Sequence, residues 1–459
     1  MPIIRSISGL RATISDGCLS QKLVKNYIYA LANCISRGQI VLGRDGRQSG
    51  EWIEDEIINL LIDLGWDIIS LGIVPTPTVQ LITESSKASA GIVITASHNP
   101  ADWNGLKFIN NGGTFFDKKQ NEKLWYYVDN GYDPETLHIT NCVSDQKGKV
   151  IIKNDAIDFH IDKIMELPFW ESIKNSSLIA AVDAVNASGS HAIPMLLERL
   201  GCSVDKLYCD RSGDFPHIPE PLPANLIDLC NAVRKSNSQI GIAVDPDADR
   251  LVLIDENGIP IGEENTIVLA VWSVLELSPN PSEISIVVNH STTQSVEDIA
   301  SRYGAKVYRS PVGELNVVNK MQDTGASIGG EGSGGVIYAP LHYGRDSLIG
   351  TSLVLALMWK LNKKLSELKA MLPKYAMVKT KMQLEGDFEQ IFGQIRLNYK
   401  NYKINNEDGL KIFLDNSWIQ IRKSNTEPII RIIAEAKDET SANNLINEIK
   451  NIIKKFKNC

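Results

Sequence analysis

The feature that most constrains the fold is a pattern that occurs three times along the chain. A short apolar strand is followed by a loop of small and polar residues, a helix, a glycine that stops the helix, and a second strand. Each repeat predicts two parallel strands joined by a covering helix, because parallel neighbours need a long crossover. The repeats span residues 39–74, 178–209 and 285–309. They indicate three related α/β domains in tandem.

The last part of the chain lacks this pattern. Strands are predicted there at 411–414, 418–422 and 429–436, followed by a helix at 441–456, which indicates a separate α+β domain. Boundaries fall where the repeated pattern lapses. We therefore expect an α/β protein of three related domains with mixed sheets and a C-terminal α+β domain, divided as 1–155, 156–255, 256–370 and 371–459.

Composition narrows the class of protein. A length of 459 residues and a net charge of −8 fit a globular protein of about three domains without a general nucleic-acid surface. The first ten residues lack the apolar core of a signal sequence, and no apolar stretch has the length of a membrane span. We interpret the chain as cytoplasmic, a monomer or homodimer, with no nucleic-acid or membrane partner. The seven scattered cysteines predict neither a disulfide framework nor a zinc site.

A serine loop follows a buried strand in the first domain. The apolar run at 92–94 ends at Thr95-Ala96-Ser97-His98-Asn99-Pro100, where the proline stops the strand. In an open α/β sheet, ligands bind at the ends of strands, so the hydroxyl of Ser97 would be accessible to a substrate. A polar turn that only satisfies backbone groups is the alternative.

A cluster of carboxylates follows a strand in the second domain. Asp245, Asp247 and Asp249 alternate in Asp-Pro-Asp-Ala-Asp-Arg, and a hard cation such as Mg²⁺ makes such close carboxylates tolerable. A calcium-binding EF-hand loop is excluded, because Arg250 stands where that loop needs glycine and the flanking segments are strands. A solvated acidic turn is the remaining alternative.

Two later loops are also suited to binding. The glycine-rich loop 329–335 lets backbone approach a ligand, and its Glu331 and Ser333 could bind vicinal hydroxyls, although a flexible hairpin fits equally well. Between two strands of the last domain, residues 422–428 concentrate donors suited to a phosphate group, with a surface turn as the alternative. The donors of this loop and the strand after it are Arg422, Ser424, Asn425, Thr426 and Arg431.

Taken together, these four motifs resemble those of the α-D-phosphohexomutases, the family of phosphoglucosamine mutases and phosphomannomutase/phosphoglucomutases. The resemblance covers nearly the whole chain and implies an active site in a central cleft. It implies that Ser97 carries the phosphoryl group and that one Mg²⁺ per chain is bound by Asp245, Asp247 and Asp249 together with phospho-Ser97. It also implies roles around the reacting phosphate for Arg11, Arg47, His98, Lys107 and Arg250.

The resemblance implies sugar contacts from Glu331 and Ser333, and contacts to the non-reacting phosphate from Arg422, Ser424, Asn425, Thr426 and Arg431. The implied reaction moves phosphate between O1 and O6 of a hexose phosphate through a hexose 1,6-bisphosphate, which also serves as activator. The loops look most like those of phosphoglucosamine mutases, so glucosamine 6-phosphate is the first substrate candidate. Phosphomannomutase/phosphoglucomutase activity is the alternative, and an Mg²⁺-dependent sugar phosphatase is an alternative of another class.

The chain departs from the family pattern at Ala12, where members often have glycine, and at residue 335. Many members have a histidine two residues after the sugar-loop serine, where this chain has Gly335, so an acid/base role cannot be transferred to it. His342 is a candidate replacement, with a core or capping histidine as the preferred interpretation. Lys107 is then the first choice of general base, provided that neighbouring cations lower its pKa.

Overall fold

The computed structural model describes residues 3–130, 146–172, 177–383, 388–423 and 429–457. The chain divides into two compact units, each described here by itself: residues 1–277 with 333–370, and residues 278–332 with 371–459. The domain boundaries drawn from the sequence remain a prediction. Among the described residues, no helix is both long and apolar enough to span a membrane.

The first unit begins with a seven-stranded sheet in the order β1-β2-β6-β5-β3-β4-β7. Its central strands β3, β4 and β5 are parallel, as the first repeat predicts, whereas β6 and β2 join antiparallel and make the sheet mixed. The strands are Ile4–Ser6, Gly9–Thr13, Gln39–Arg44, Asp67–Ile73, Ala90–Ile94, Trp103–Asn110 and Val150–Ile152 (β1 to β7). The helices are Gln21–Cys34, Gly50–Asp63, Thr76–Ser85 and Lys118–Asp129 (α1 to α4).

A second sheet of the first unit has the order β11-β10-β8-β9. Strands β8, β9 and β10 are parallel, which confirms the second repeat, and β11 turns back antiparallel to β10. The strands are Ile179–Asp183, Ser203–Leu207, Ile240–Val244 and Leu251–Asp255 (β8 to β11). The helices are Ala156–Met165, Gly189–Arg199 and Ile227–Ser236 (α5 to α7).

The first unit also contains elements from later in the sequence. Helix α8 (Glu263–Leu277) packs on α11 (Ser347–Leu361), and both are lined with fully buried aliphatic residues. Strand β15 (Gly335–Tyr338) packs beside these helices, and α12 (Leu365–Met371) follows α11.

The second unit contains the third repeat and the last domain. Strands β13 and β14 flank β12 and run parallel to it, as predicted. The final sheet is antiparallel throughout, in the order β16-β20-β19-β18-β17, and it forms the predicted α+β arrangement with two helices. The elements around the third repeat are Ser285–Asn289, Ser295–Arg302, Lys306–Ser310, Glu314–Thr324 and Ile328–Glu331 (β12, α9, β13, α10, β14). The elements of the last domain are Ala376–Gln383, Phe388–Asn398, Lys403–Asn405, Leu410–Leu414, Ser417–Lys423, Ile429–Ala436 and Glu439–Lys457 (β16, α13, β17, β18, β19, β20, α14).

A buried hydrogen-bond network joins distant parts of the first unit. Oδ2 of Asp346 lies 2.9 Å from Nε2 of His160 and 3.2 Å from Nε2 of His342, while Oδ1 accepts the first amides of α11. Nδ1 of His160 lies 2.9 Å from Oγ1 of Thr78 on α3. This confirms the preferred interpretation of His342 as a core histidine.

Replacing Asp346 by asparagine should destabilise the protein by about 3 kcal/mol, because a buried charged acceptor shared by two histidines is lost. Urea unfolding measures the change, and Asp162→Asn, an exposed carboxylate on the same helix as His160, should cost under about 1 kcal/mol. Burial alone would raise the pKa of Asp346, but His160 and His342 hold it below its ordinary value.

The lowered pKa of Asp346 determines how its contribution to the stability of the protein depends on pH. A carboxylate with a depressed folded-state pKa adds stability above its unfolded pKa of about 4 and loses it as the pH falls further. The stability gap between wild type and Asp346→Asn should therefore be full near neutral pH and narrow below about pH 4. A gap that stays constant down to the acid transition would contradict the assigned network.

Candidate active site

The serine loop leaves the end of β5 in a constrained conformation. Ser97 has a φ of 52°, in the left-handed region that non-glycine residues rarely adopt. Its amide donates to Oγ1 of Thr95 at 2.8 Å, and that hydroxyl donates to Oδ2 of Asp45 at 2.6 Å. From the sequence we expect a solvent-accessible Ser97 hydroxyl, but the structure buries it: only 1% of the residue is exposed. Its Oγ donates instead to Oδ2 of Asp245 at 3.1 Å.

Arg47 holds the serine loop in place. The guanidinium donates to backbone carbonyls at 2.6–3.0 Å, namely those of Ser97, Asn99, Pro100 and Trp103. Its Nε donates to Oδ2 of Asp45 at 2.9 Å. These bonds occupy all of the N–H donors of an arginine side chain. The expectation that Arg47 acts at the reacting phosphate is therefore wrong, because its donors are consumed in positioning the loop.

The predicted carboxylate triad forms a buried cluster between β10 and β11. Ligand oxygens of Asp245, Asp247 and Asp249 lie within 4.8 Å of one another. The turn places Ala248 at a φ of 51°, so this loop is also held in a left-handed conformation. Oδ1 of Asp245 accepts the amides of Asp249 and Arg250 at 3.2 and 3.1 Å.

The two other carboxylates use their oxygens differently. Oδ2 of Asp247 accepts from Lys107 and Thr76, each at 2.6 Å, and Oδ2 of Asp249 accepts from Lys107 at 3.1 Å and from Arg345 at 2.6 Å. Oδ1 of both residues is buried and has no hydrogen-bond partner among the described residues. Buried carboxylate oxygens without a donor, close together, are the ligands that a hard cation requires. The triad could therefore bind a metal.

The surroundings shift the pKa values of two triad carboxylates in opposite directions. Burial and the neighbouring carboxylates Asp249 and Asp247 raise the pKa of Asp245 well above its usual range. Burial also acts to raise the pKa of Asp249, but Arg345, Lys107 and Arg250 outweigh it and lower that pKa. The cations of the site thus act more strongly on Asp249 than on Asp245.

Lys107 lies on β6 and is 2% exposed, with its ammonium between Asp247 and Asp249. Burial lowers its pKa, but the two carboxylates more than offset this, so the pKa of Lys107 is raised above its ordinary value. The lowered pKa expected for a general base is therefore wrong for this arrangement. Lys107 acts here as a cation that holds two carboxylates together.

The remaining predicted residues of the first unit surround Ser97. Nη1 of Arg11 donates to Oδ1 of Asn99 at 2.9 Å, and Nδ1 of His98 lies 3.3 Å from Oγ of Ser97. Burial, followed by the charges of Arg250 and Arg11, lowers the pKa of His98 to about 2, so this ring is neutral. Nη1 of Arg250 lies 3.7 Å from Oε1 of Glu220. The structure thus brings the predicted cationic residues of the first unit to the serine loop or the triad, with Arg47 bonded to the backbone of the serine loop.

Sequence reasoning missed two residues of this cluster, Thr76 and Arg345. Thr76 begins α3 and is tied to Asp247 through both its amide and its hydroxyl. Arg345 precedes α11 and contacts Asp249. Neither belongs to a dense motif, and the only available signal for Arg345 was the charged pair Arg345-Asp346 after a glycine.

The predicted sugar and phosphate residues are only partly described. Oε1 of Glu331 in the second unit accepts from Nδ2 of Asn289 at 2.8 Å and from the amide of Gly313 at 3.0 Å, so the carboxylate is fixed. Ser333 is half-buried in the first unit. Arg422 and Arg431 face each other as paired residues of β19 and β20. The remaining residues predicted to bind phosphate lie outside the described residues: Ser424, Asn425 and Thr426.

Models of one protein family match most of the chain. Models of the phosphoglucomutase/phosphomannomutase family match in succession: alpha/beta/alpha domain I at residues 3–134, domain II at 158–258, domain III at 263–375 and the C-terminal domain at 364–452.

Individual relatives carry related names. A phosphoglucomutase/phosphomannomutase of Thermococcus kodakarensis is 38% identical over 409 residues, covering 88% of each chain. A phosphoglucosamine/phosphogalactosamine mutase of Sulfurisphaera tokodaii is 31% identical and covers 95% of this chain and 97% of its own. A solved phosphoglucomutase/phosphomannomutase family protein of Burkholderia thailandensis superposes with a TM-score of 0.83 at 24% identity, over 99% of this chain and 98% of its own. The last likeness shows the fold alone.

Proposed function

Because the chain belongs to the phosphoglucomutase/phosphomannomutase family and is an isomerase of the phosphohexomutase class, we propose that it moves phosphate between O1 and O6 of a hexose phosphate through Ser97. The observation that carries the proposal is the placement of the Ser97 hydroxyl 3.1 Å from Asp245, inside a cluster of carboxylates and cations. The substrate pair proposed first is glucosamine 6-phosphate and glucosamine 1-phosphate.

A divalent cation, proposed to be one Mg²⁺ per chain, fits the triad. Asp245, Asp247 and Asp249 would hold it together with a phosphate on Ser97, and the buried unpartnered Oδ1 atoms of Asp247 and Asp249 support this assignment. When bound, Mg²⁺ supplies positive charge that stabilises the phosphoryl oxygens during transfer.

The side chains of the site supply the remaining requirements of phosphoryl transfer. The bond between phosphorus and Oγ of Ser97 breaks as a substrate hydroxyl oxygen bonds to phosphorus, and the hydroxyl loses one proton while Oγ gains one. Lys107, Arg11 and Arg250 would neutralise the charge on the transferring group. The left-handed backbone and the Arg47 bonds hold Ser97 in one orientation, which lowers the entropy cost of alignment.

The first transfer would produce a hexose 1,6-bisphosphate, which returns its other phosphate to Ser97 after turning around. The same bisphosphate added in trace amounts would phosphorylate Ser97 and act as the activator. Glu331 and Ser333 are proposed to bind the sugar hydroxyls. The other phosphate is assigned to Arg422, Ser424, Asn425, Thr426 and Arg431.

The sugar preference is tested by turnover of glucosamine, glucose and mannose 6-phosphates side by side, with Mg²⁺ and the matching bisphosphate. We expect glucosamine 6-phosphate to have a kcat/KM at least about tenfold above the others, since a site that binds the C2 substituent distinguishes it by one hydrogen bond or more. Comparable values for all three would contradict the glucosamine assignment and favour phosphomannomutase/phosphoglucomutase activity, the name carried by the Thermococcus relative.

The same assay tests the reaction class. Isomer formation without free phosphate is expected, because the Ser97 hydroxyl is buried away from bulk water. Stoichiometric release of inorganic phosphate without isomer would replace the mutase proposal by a sugar phosphatase. Removal of divalent cations with EDTA should abolish turnover, and Mg²⁺ should restore it.

A further inference from the structure

Arg345 is part of the serine and triad cluster although no motif identifies it. Its Nη2 donates to Oδ2 of Asp249 at 2.6 Å, and its side chain is 11% exposed. Lys107 shares the same carboxylate oxygen at 3.1 Å. Asp249 therefore still contacts the Lys107 ammonium if Arg345 is removed.

The position of Arg345 depends on the glycine at residue 335. A Cβ built on Gly335 would overlap Cδ of Arg345 and lie 3.0 Å from its Cγ. The stem of the arginine thus occupies the space that a side chain at residue 335 would need. The position of Arg345 therefore requires a glycine at residue 335, the residue that departs from the family pattern.

The backbone on both sides holds Arg345 at this place. The amide of Asp346 donates to the carbonyl of Val336 at 2.8 Å, and the Ser347 hydroxyl donates to the carbonyl of Ala248 at 2.7 Å. On the glycine side, the amide of Leu251 donates to the carbonyl of Gly334 at 3.0 Å. Both segments are therefore bonded directly to the loop or the strand that carries the triad, which fixes the backbone from which the Arg345 side chain extends.

Arg345 lies among other cationic side chains. Its guanidinium shares Oδ2 of Asp249 with the ammonium of Lys107, and Arg250 follows Asp249 directly in the same loop. Such crowding of like charges is stabilised when an anion binds between them.

We propose that the guanidinium of Arg345 contacts the phosphoryl group that moves to and from Ser97, which makes Arg345 a further catalytic residue of this site. The planar fork of an arginine lets one guanidinium bind a carboxylate and a phosphoryl oxygen together. The inference rests on the phosphoryl-transfer function proposed above, and it deepens that function by adding a residue to it.

The test begins with three single variants of the full chain, to which the double variant and Arg345→Ala are added below. Arg345→Met keeps most of the stem and removes the charge, and Gly335→Ala displaces the arginine without changing it. Gly393→Ala is the matched control, because a Cβ at that helix position meets nothing within 4 Å. Circular dichroism and urea unfolding establish that each variant is folded. If Arg345→Met does not fold, Gly335→Ala carries the test.

The first measurement is calorimetric binding of inorganic phosphate to the unphosphorylated protein in the presence of Mg²⁺. Arg345→Met and Gly335→Ala should each weaken phosphate binding at least about tenfold, since a charge-assisted bond to the anion is lost. Gly393→Ala should bind like the wild type. The double variant should be no weaker than Arg345→Met alone, because both changes remove the same contact.

The second measurement is Mn²⁺ binding followed by electron paramagnetic resonance. The Mn²⁺ affinity of Arg345→Met should be equal to or higher than that of the wild type, because Lys107 still holds Asp249 and one repelling charge is gone. Unchanged phosphate binding combined with weaker Mn²⁺ binding would overturn the proposal and leave Arg345 as a support of the metal loop.

The third measurement is turnover, with rescue. Arg345→Ala should lose at least about tenfold in kcat, and added guanidinium ion should recover part of the loss, which a purely structural role would not permit. Absence of rescue together with wild-type phosphate binding would contradict the inference. Since phosphate binding requires no mutase activity, a wild type that binds phosphate through Arg345 yet lacks turnover would refute the proposed function alone.

Discussion

Ser97→Ala should abolish mutase turnover, with a loss of about 10⁴-fold or more, because the reaction then lacks the oxygen that carries the phosphoryl group. The change should leave the fold intact, since the partners of the hydroxyl among the described residues are Asp245 and His98. Hexose phosphate binding by calorimetry should persist within a few-fold. The result would therefore appear almost entirely in kcat.

A direct measurement of the carrier role accompanies the kinetics. The wild type incubated with hexose 1,6-bisphosphate should gain the mass of one phosphoryl group, located at Ser97 by peptide mapping, and Ser97→Ala should gain none. Ser85→Ala removes an exposed serine at the end of α3 and should behave like the wild type in both assays. Unimpaired turnover of Ser97→Ala would refute the phosphoserine proposal.

Arg47→Met should produce the second large effect, on stability and activity together. The substitution leaves Asp45 as an unpaired buried carboxylate and removes the bonds to four loop carbonyls. Breaking a buried ion pair from one side costs about 3–5 kcal/mol, and a serine displaced by about 1 Å loses about 10²-fold in rate. Urea unfolding and kcat measure the two effects.

Arg199→Met is the matched control for this prediction. Arg199 pairs with Asp162 at a surface where both side chains are exposed, so the substitution should cost under about 1 kcal/mol and leave kcat unchanged. If Arg47→Met loses activity without losing stability, Arg47 acts on the substrate rather than on the loop. That outcome would restore the role first expected for it.

The fold was largely predictable because the strands, helices and turns of each repeat are determined by short local sequence patterns. The run 39–42, the helical spacing after Gly50 and the glycine at residue 65 predict β3, α2 and the turn to β4, all of which the structure contains. The C-terminal strands and helix were predictable for the same reason. The division of the predicted domain 256–370 between two compact units was not predictable, since it depends on contacts between distant residues rather than on periodicity.

The site was predictable where chemistry is concentrated in a short motif, as in the serine loop and the triad. It was not predictable where a residue acts alone: Arg345 and Thr76 reach Asp249 and Asp247 only through tertiary packing. For two residues, Arg47 and Lys107, the residue type suggested an environment that the structure does not have. The guanidinium of Arg47 donates to four carbonyls and to Asp45. Lys107 lies between two carboxylates, which raise its pKa by more than burial and the charges of Arg345 and Arg11 lower it.

The discontinuity of the first unit has a consequence for synthesis of the protein. Residues 278–332 interrupt that unit, and Asp346 must meet His160, which is 186 positions earlier in the sequence. While the chain emerges from the ribosome, the amino-terminal sheets can form early, but His160 lacks its buried partner until the interrupting segment has been made. The first unit therefore completes its buried hydrogen-bond network only after the interrupting segment has been synthesised.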